Sequence, residues 1–275
     1  MELLRIDQSK CHRDGICAAV CPTGVIRLQD GQDCPKMVSG GEKLCIACGH
    51  CVAACPHGAL DHARIPLQSC PSIRPDLAIR EEQAVQFIRS RRSVRIYQDR
   101  PVKRETINRL IETARYAPTG GNSQFVEWIA CNDRDRIREL AGMTVDWLRR
   151  LLHEEKQPAA IPPYLPLVVA AWDLGMDAVL RNAPALVVAT APAEATNGMV
   201  DLSLALSYFE LAAPTHGLGT CWAGILRRGL MNSLSLREAL GIPEGHPHYD
   251  PMMLGYPKYT YHRLPERRSP KITWK

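Results

Sequence analysis

The fold of the N-terminal part of this chain is decided by the segment Cys45-Ile46-Ala47-Cys48-Gly49-His50-Cys51-Val52-Ala53-Ala54-Cys55-Pro56. Its spacing, C-x2-C-x2-C-x3-C-P, is that of cysteines that ligate a [4Fe–4S] cluster. A cubane needs four soft thiolates that arrive from different directions, and one tight loop can supply only three of them. The segment therefore predicts an iron–sulfur cluster whose fourth ligand comes from elsewhere in the chain.

The same pattern occurs 34 residues earlier, which indicates an internal repeat. The earlier run consists of Cys11, Asp14, Cys17, Cys21 and Pro22. At the same offset, Gly24 corresponds to Gly58. In proteins with two such runs, the last cysteine of each run ligates the cluster of the other run. We expect one cluster on Cys45, Cys48, Cys51 and Cys21, and a second on Cys11, Cys17 and Cys55 with Asp14 as an open fourth position.

Asp14 stands where the repeat calls for a thiolate. A carboxylate is a harder ligand than sulfur, so the site could hold a [4Fe–4S] cluster with an aspartate or water ligand, a [3Fe–4S] cluster, or both in exchange. Asp14 could equally cap a turn and bind no metal. A four-cysteine zinc site is the other reading of C-x2-C pairs, but zinc explains neither the C-x3-C-P ending nor the repeat.

Bulk composition places the chain among soluble proteins of more than one domain. Its 275 residues exceed what two clusters require, so a larger domain is expected to follow. The formal charge of +5 comes without a basic stripe interleaved with aromatics, which argues against nucleic acid. Cluster thiolates point to the cytoplasm. Neither a signal peptide nor an apolar run of about 18 residues is visible, so we expect no membrane partner.

Three regions follow from the distribution of these features. Residues 1–65 are predicted to form the iron–sulfur domain, as two similar halves joined by a turn or hairpin over 30–43. Each half would contain a short strand, a cysteine loop and a helical turn. Residues 66–79 are dense in proline, which interrupts helices and sheet ladders, and are predicted to be a linker. Residues 80–275 form the larger domain.

The larger domain is predicted to mix helices and strands, which is typical of the α+β class. Helices are expected over 80–90, 104–115 and 201–213, strands over 126–131 and 186–189, and a short terminal strand over 272–274.

Three polar loops of this domain suit a phosphorylated, flat ligand. Arg91, Arg92 and Ser93 offer donors that match a phosphate, although a solvated basic face would look the same in sequence. The stretches 120–124 and 219–224 add small residues and exposed backbone groups.

These loops, in this order, carry a specific resemblance. The motifs are Arg91-Arg92-Ser93-Val94-Arg95-Ile96-Tyr97, Ala117-Pro118-Thr119-Gly120-Gly121-Asn122-Ser123-Gln124, Gly219-Thr220-Cys221-Trp222-Ala223-Gly224 and the tail from Gly255-Tyr256-Pro257 through Arg267-Arg268. Together, over residues 83–275, they resemble the FMN-dependent nitroreductase family. With the front domain, the chain resembles the subgroup that carries an N-terminal two-cluster ferredoxin domain.

The resemblance implies a bacterial ferredoxin-like domain followed by a nitroreductase-like α+β sandwich with a mixed sheet. It also implies a homodimer that binds FMN between its subunits. The residues implied around the FMN phosphate and ribityl chain are Arg91, Arg92, Ser93, Arg95, Arg267 and Arg268. Asn122 and Gln124 would reach the flavin from the partner subunit, and Pro118, Thr119 and Gly120 lie in the same loop. Cys221, Ala223 and Gly224 would lie along the isoalloxazine. Phe125-Val126 departs from the Pro-Trp that often follows the glutamine in the family.

The resemblance further implies an FMN-dependent oxidoreductase. Electrons would pass from a low-potential donor through the clusters to FMN and on to a small organic acceptor of the nitroaromatic, quinone or enone type. The donor could be a ferredoxin, a flavodoxin or NAD(P)H, since a nicotinamide can stack on a flavin without a dinucleotide fingerprint. The sequence singles out no acid–base residue. A non-catalytic electron carrier or redox sensor with the same cofactors is the alternative.

Overall fold

The computed structural model describes residues 2–28, 34–153 and 162–275. The chain divides into two compact units. The first comprises residues 1–78 together with 121–123, and the second comprises 79–120 and 124–275.

The first unit is built from short elements around two antiparallel strand pairs. Its elements are β1 (Leu4–Ile6), α1 (Ile16–Ala19), β2 (Ile26–Arg27), β3 (Lys36–Met37), α2 (Gly41–Leu44), α3 (His50–Ala54) and β4 (Leu60–His62). β1 pairs with β4 and β2 pairs with β3. Each half thus contains a strand, a cysteine loop and a helical turn, as predicted, whereas residues 30–33 of the predicted turn lie outside the described residues. Leu4, Val25, Val52 and Leu60 form the small core.

The proline-rich segment forms two single turns of 3₁₀ helix, Leu67–Ser69 and Pro75–Leu77. Ile73 between them is 93% exposed. Proline cannot donate a backbone hydrogen bond, so this composition favours an open connection over a packed element.

The second unit contains a four-stranded sheet and seven α-helices among its described residues. The strands are β5 (Glu127–Cys131), β6 (Ala185–Ala191), β7 (Gly219–Trp222) and β8 (His248–Gly255), in the order β5-β6-β8-β7. Neighbouring strands are antiparallel, and a single bridge between Ser93 and Thr220 is parallel. The helices are α4 (Glu81–Ser90), α5 (Arg104–Ala114), α6 (Arg134–His153), α7 (Leu165–Asp173), α8 (Gly198–Ala212), α9 (Gly224–Asn232) and α10 (Leu234–Leu240). In the part of the chain that is described, no helix has the length and apolarity to cross a bilayer.

Alternation along the central strands sends side chains into two separate cores, one on each face of the sheet. In β6, Leu186 and Val188 pack with α6, α7, α9 and α10. Val187 and its neighbours on the other face pack with α5 and α8. The seven residues of β6 are all buried. Burial on both faces is the reason that this strand shows a continuous apolar run rather than alternation.

The predicted strand over 272–274 is wrong. The described tail beyond residue 257 contains no strand or helix, and Trp274 is 88% exposed. Strand propensity alone forms no ladder without a neighbouring edge that offers hydrogen bonds.

The buried carboxyl of Asp250 makes the stability of the second unit depend on pH. Asp250 of β8 is 7% exposed, and Nε of Arg227 in α9 lies 2.9 Å from its Oδ2. Burial raises the pKa of Asp250 to about 6, although Arg227 opposes the rise. Because the folded-state pKa is raised, the stability contributed by this group is fully present below about pH 4 and is lost as the pH rises through about 6.

The Asp250→Asn variant should therefore gain stability relative to the wild type between pH 4 and pH 7, by about 2–3 kcal/mol. All five tryptophans lie in the second unit, so their fluorescence in urea titrations reports on it. Asp99→Asn, at a side chain that is 90% exposed, is the matched control and should leave the pH profile unchanged. If the free energies of unfolding of Asp250→Asn and the wild type differed by the same amount at every pH in this range, the prediction would be contradicted.

Candidate functional site

The two cysteine loops of the first unit share one backbone conformation. The same three pairs of positions, each 34 residues apart, have positive φ: Arg13 and Ala47, Gly15 and Gly49, and Gly24 and Gly58. Gly15 and Gly49, at φ 73° and 74°, begin α1 and α3. Positive φ is costly for a side chain such as that of Arg13. The sequence repeat is therefore a repeat of structure, and Asp14 has not altered the loop that carries it.

The cysteines surround two separate cavities. The first, here called the Cys48 cavity, is lined by Cys21, Cys45, Cys48 and Cys51. The second, here called the Cys11 cavity, is lined by Cys11, Asp14, Cys17 and Cys55. The last cysteine of each run thus lies with the first three positions of the other run, as the crossed scheme predicts. The role of each residue as a ligand stays a prediction.

The donor set fits a cluster better than a single ion. Across the described ranges, no group of three or more His, Cys, Asp or Glu side chains converges as it would on one metal ion. In a cubane each thiolate takes a different iron, so its sulfurs surround a space instead of meeting at a point.

The thiols differ in how readily they lose their protons. Burial raises the pKa of Cys51 to about 11, and it also raises the pKa of Cys17. For Cys21, burial is outweighed by hydrogen bonds from the Thr23 hydroxyl and nearby backbone N–H groups, and the pKa is lowered. Thiols must ionise to bind iron, so cluster assembly in these cavities releases protons.

His62 is a residue of this site that the sequence analysis missed. It is 2% exposed, lines the Cys48 cavity and has Nε2 3.5 Å from Sγ of Cys45. The backbone N–H of Arg64 donates to Nδ1 over 3.1 Å, which leaves the proton on Nε2, directed at the sulfur. Hydrogen bonds to cluster sulfurs affect the reduction potential. Only the tertiary structure brings His62, at the end of β4, to this cavity.

In the second unit, five arginines line one cavity, and Arg89 near the end of α4 is one of them. Arg91 and Arg92, which follow α4, line a space of about 390 Å³ with Arg267 and Arg268 of the tail. The guanidinium of Arg92 also lies 5.9 Å from the ring centre of Tyr261. The two arginine pairs, 176 residues apart in sequence, are therefore brought together as the resemblance implied.

A second cavity of about 380 Å³ shares Arg91 and Arg92 and extends along the segment 217–220. Glu210 of α8 lines it, with Oε2 3.5 Å from Nη1 of Arg91. Burial raises the pKa of Glu210, and Arg91 and the Trp222 side chain oppose the rise. No sequence motif marks Glu210, which is one of two acidic residues in a mostly apolar helix.

Most of the residues near β7 are buried or hydrogen-bonded within the protein. Cys221 is 4% exposed and its pKa is raised by burial, while Arg95 and the Ser93 hydroxyl oppose that effect. Arg95 is exposed and donates to the Ser93 carbonyl over 3.4 Å. Ala223 is buried and its N–H donates to the Pro251 carbonyl over 2.9 Å. Gly224, the exposed first residue of α9, is the position in this stretch most open to a ligand.

The loop that contains Asn122 and Gln124 is held by several hydrogen bonds. The N–H of Gln124 donates to the Thr119 hydroxyl, and the N–H of Gly120 donates to Asp201, each over 3.0 Å. Pro118, just before them, is exposed. The side-chain amide of Asn122 donates to the Ile46 and Ala47 carbonyls, at 3.0 and 2.9 Å. These bonds place Gly121–Ser123 with the first unit, and contact of Asn122 or Gln124 with a flavin stays a prediction.

Two family models match the chain. The model of the nitroreductase family matches residues 88–256, and that of the 4Fe-4S dicluster domain matches residues 9–60. The nitroreductase match lies in the second unit, and the dicluster match lies in the first unit.

Similar proteins agree with the match to the nitroreductase family. A protein of Archaeoglobus fulgidus, named as a candidate NADH dehydrogenase or NAD(P)H nitroreductase, is 29% identical over 64% of this chain and 87% of its own length. The FMN reductase [NAD(P)H] of Bacillus subtilis is 28% identical over 64% of this chain and 66% of its own length. A nitroreductase from Bacteroides fragilis, solved with bound FMN, has the same fold, with a TM-score of 0.58 and 22% identity over 71% of this chain and 98% of its own.

The fold and the two sets of cavities define a two-unit protein with an iron–sulfur domain and an α+β domain. The chain belongs to the nitroreductase family, whose model matches well over half of it. It is an FMN-dependent oxidoreductase with a 4Fe-4S dicluster domain in front.

Proposed function

We propose that this protein passes electrons from a low-potential donor through two iron–sulfur clusters to FMN and on to a small organic acceptor. The observation that carries the proposal is the pair of cysteine-lined cavities on the same chain as a nitroreductase domain. Thiolate-held clusters move one electron at a time, so they serve a donor that delivers single electrons. The acceptor class is a nitroaromatic, quinone or enone.

The residues present fit an FMN phosphate. The lining of this cavity contains five arginines, Arg89, Arg91, Arg92, Arg267 and Arg268, and one carboxylate, Glu266. Planar guanidinium groups can bind phosphate oxygens in pairs. In this proposal Arg91, Arg92, Arg267 and Arg268 hold the phosphate, while Ser93 and Arg95 hold the ribityl chain. Bound FMN supplies both hydride and single-electron chemistry, and the protein's part is to orient it and to exclude water.

The proposed cluster ligands follow the crossed arrangement of the cavities. Cys21, Cys45, Cys48 and Cys51 hold one [4Fe–4S] cluster, with His62 as a hydrogen-bond donor to Cys45. Cys11, Cys17 and Cys55 hold three corners of the other.

The donor is a ferredoxin, a flavodoxin or NAD(P)H. The name of the Bacillus subtilis relative gives NAD(P)H as its donor, which supports a nicotinamide for this chain as well. A one-electron donor would use the clusters, whereas a nicotinamide would transfer hydride directly.

The protein is proposed to act as a homodimer, with a second copy covering α8. Val200, Leu204 and Tyr208 form a row at helical spacing on this helix, and they are 59%, 36% and 42% exposed. An apolar row of this kind is typical of a subunit interface.

The test is anaerobic reconstitution of the full chain with iron, sulfide and FMN. We expect about eight irons, about eight sulfides and one FMN per chain, and a mass in sedimentation equal to two chains. Flavin absorbance, once bleached by dithionite or by NADH, should return on addition of a nitroarene, quinone or enone. Protein that emerges without iron or flavin would contradict the proposal.

The same experiment separates the enzyme from the alternative of an electron carrier or redox sensor. A carrier would hold both kinds of cofactor and exchange electrons with a protein partner. It would leave every organic acceptor of the three classes unreduced.

A further inference from the structure

The loop between Cys45 and Cys48 is held by a side chain from outside the cysteine motif. The amide nitrogen of Asn122 donates to the Ile46 carbonyl over 3.0 Å and to the Ala47 carbonyl over 2.9 Å. Both partners can only accept, so the nitrogen and not the oxygen of the amide faces them. A side-chain amide carries two hydrogens, and these two bonds use both. Asn122 belongs to the same compact unit as the loop that it holds.

The two carbonyls fix the direction of the peptide groups that carry them. Ile46, Ala47 and Cys48 line the Cys48 cavity, whereas Asn122 is not among its lining residues. In a planar trans peptide the N–H points opposite to the C=O, and the described chain has no cis peptide. With both carbonyls turned toward Asn122, the N–H groups of Ala47 and Cys48 are turned to the cavity side. Neither of them donates to a backbone carbonyl of the described residues.

The backbone at Ala47 suits this arrangement but needs a restraint. Its φ of 49° is in the left-handed region, which is unfavourable for alanine and persists only where the surroundings impose it. A residue in this region brings successive N–H groups to one side, in a concave arrangement that binds anions and iron–sulfur clusters. The hydrogen bonds from Asn122 supply the restraint from the opposite side of the loop.

We propose that Asn122 is a positioning residue that raises the reduction potential of the cluster in the Cys48 cavity, by holding the N–H groups of Ala47 and Cys48 toward its sulfurs. This inference rests on the proposed function, since it requires a cluster in that cavity. Hydrogen bonds to cluster sulfurs affect the reduction potential. They raise it because they stabilise the reduced cluster, which carries one more negative charge. The amide hydrogens of Asn122 are thereby assigned to the cluster loop.

The test is Asn122→Gly in the full chain, reconstituted anaerobically with iron, sulfide and FMN. Asn122 has a φ of 55°, which glycine adopts without strain, and the change removes both donors without adding charge. In a redox titration followed by EPR, the ratio of reduced to oxidised cluster at a given solution potential should fall about tenfold for one of the two clusters. The other cluster and the count of about eight irons should stay unchanged. Unchanged potentials of both clusters, or an equal fall in both, overturn the inference.

Ser123→Gly is the matched control. It adds the same backbone freedom one residue further along, and it removes a buried hydroxyl that has no hydrogen-bond partner in the described part of the chain. Both potentials should equal those of the wild type. A fall as large as that of Asn122→Gly would assign the effect to loop flexibility and overturn the inference.

Asn122→Asp covers the case in which Asn122→Gly fails to retain the cluster. Aspartate keeps the size of the side chain and tolerates positive φ, but its carboxylate has no hydrogen to donate. Its charge alone would lower the potential, so the measurement here is the number of exchangeable protons coupled to the reduced cluster, by electron–nuclear double resonance in H₂O and D₂O. We expect fewer than in the wild type, and an unchanged number overturns the inference. Loss of the cluster from both variants would show that Asn122 serves assembly alone, and it overturns the inference as well.

The wild-type protein separates this inference from the proposed function. Wild-type protein that binds no iron means that the proposed function itself has failed. Fully loaded wild type together with an unchanged potential in Asn122→Gly removes only the role of Asn122.

Discussion

Replacement of Cys48 by alanine should lower the iron content from about eight atoms per chain to between about seven, if a three-iron cluster remains, and about four, if the whole cluster is lost. Cys48 lines the Cys48 cavity and is the middle cysteine of its loop, so its loss leaves three thiolates for four irons. FMN content should stay at one per chain, because the arginine-lined cavity belongs to the second unit. Reduction of an organic acceptor by a one-electron donor should fall by at least about tenfold, while reduction by NADH should persist.

The matched control is Cys131→Ser. Cys131 lies in β5 of the second unit, and its thiol donates to the Asp133 carbonyl. This variant should keep all its iron and its activity with both kinds of donor. Retention of eight irons in Cys48→Ala would remove Cys48 from the ligand set. An equal loss of activity with the one-electron donor and with NADH would instead indicate that the clusters support the fold and not electron transfer.

Replacement of Arg91 by alanine should weaken FMN binding by about 10- to 100-fold. A charge-assisted hydrogen bond contributes about 1.5–3 kcal/mol, and each 1.4 kcal/mol corresponds to about a factor of ten in affinity. Arg91 lines the two cavities described above for the second unit, and its loss removes one donor from the phosphate. Titration of flavin-free protein, followed by flavin fluorescence, measures the effect.

Riboflavin provides the sharper comparison, because it lacks the phosphate. Arg91→Ala should leave riboflavin affinity nearly unchanged while FMN affinity falls. Arg115→Ala is the control for loss of one positive charge, since Arg115 is exposed and paired with Glu112. Equal weakening of both flavins would show that Arg91 supports the cavity instead of binding the phosphate, and an unchanged FMN affinity would remove Arg91 from the site.

Local patterns predicted the elements that depend on local geometry. The helix expected over 80–90 is Glu81–Ser90, and that expected over 201–213 is Gly198–Ala212. The strand expected over 186–189 is Ala185–Ala191. Periodicity and an apolar run identify such elements because the face or faces that each element buries are visible in its own sequence.

Elements without a local pattern were missed. β8 lies between β6 and β7 in the sheet, yet its sequence, His248–Gly255, contains Asp250 and Pro251. A proline inside a central strand argues against a strand in any sequence analysis. The 20-residue helix α6 is the exception: it was missed although its buried residues Ile137, Leu140, Ala141, Val145 and Leu148 follow helical spacing. What defines β8 is its neighbours on both sides, and they are distant in sequence.

The sequence by itself determined the iron–sulfur loops, their repeat, and the family to which the second unit belongs. It could do so because ligand spacing and loop conformation are set by residues within a dozen positions of one another. The tertiary structure decided that His62 approaches Cys45 and that Glu210 lies beside Arg91. Those contacts join residues far apart along the chain, and only the packing of the folded chain brings them together.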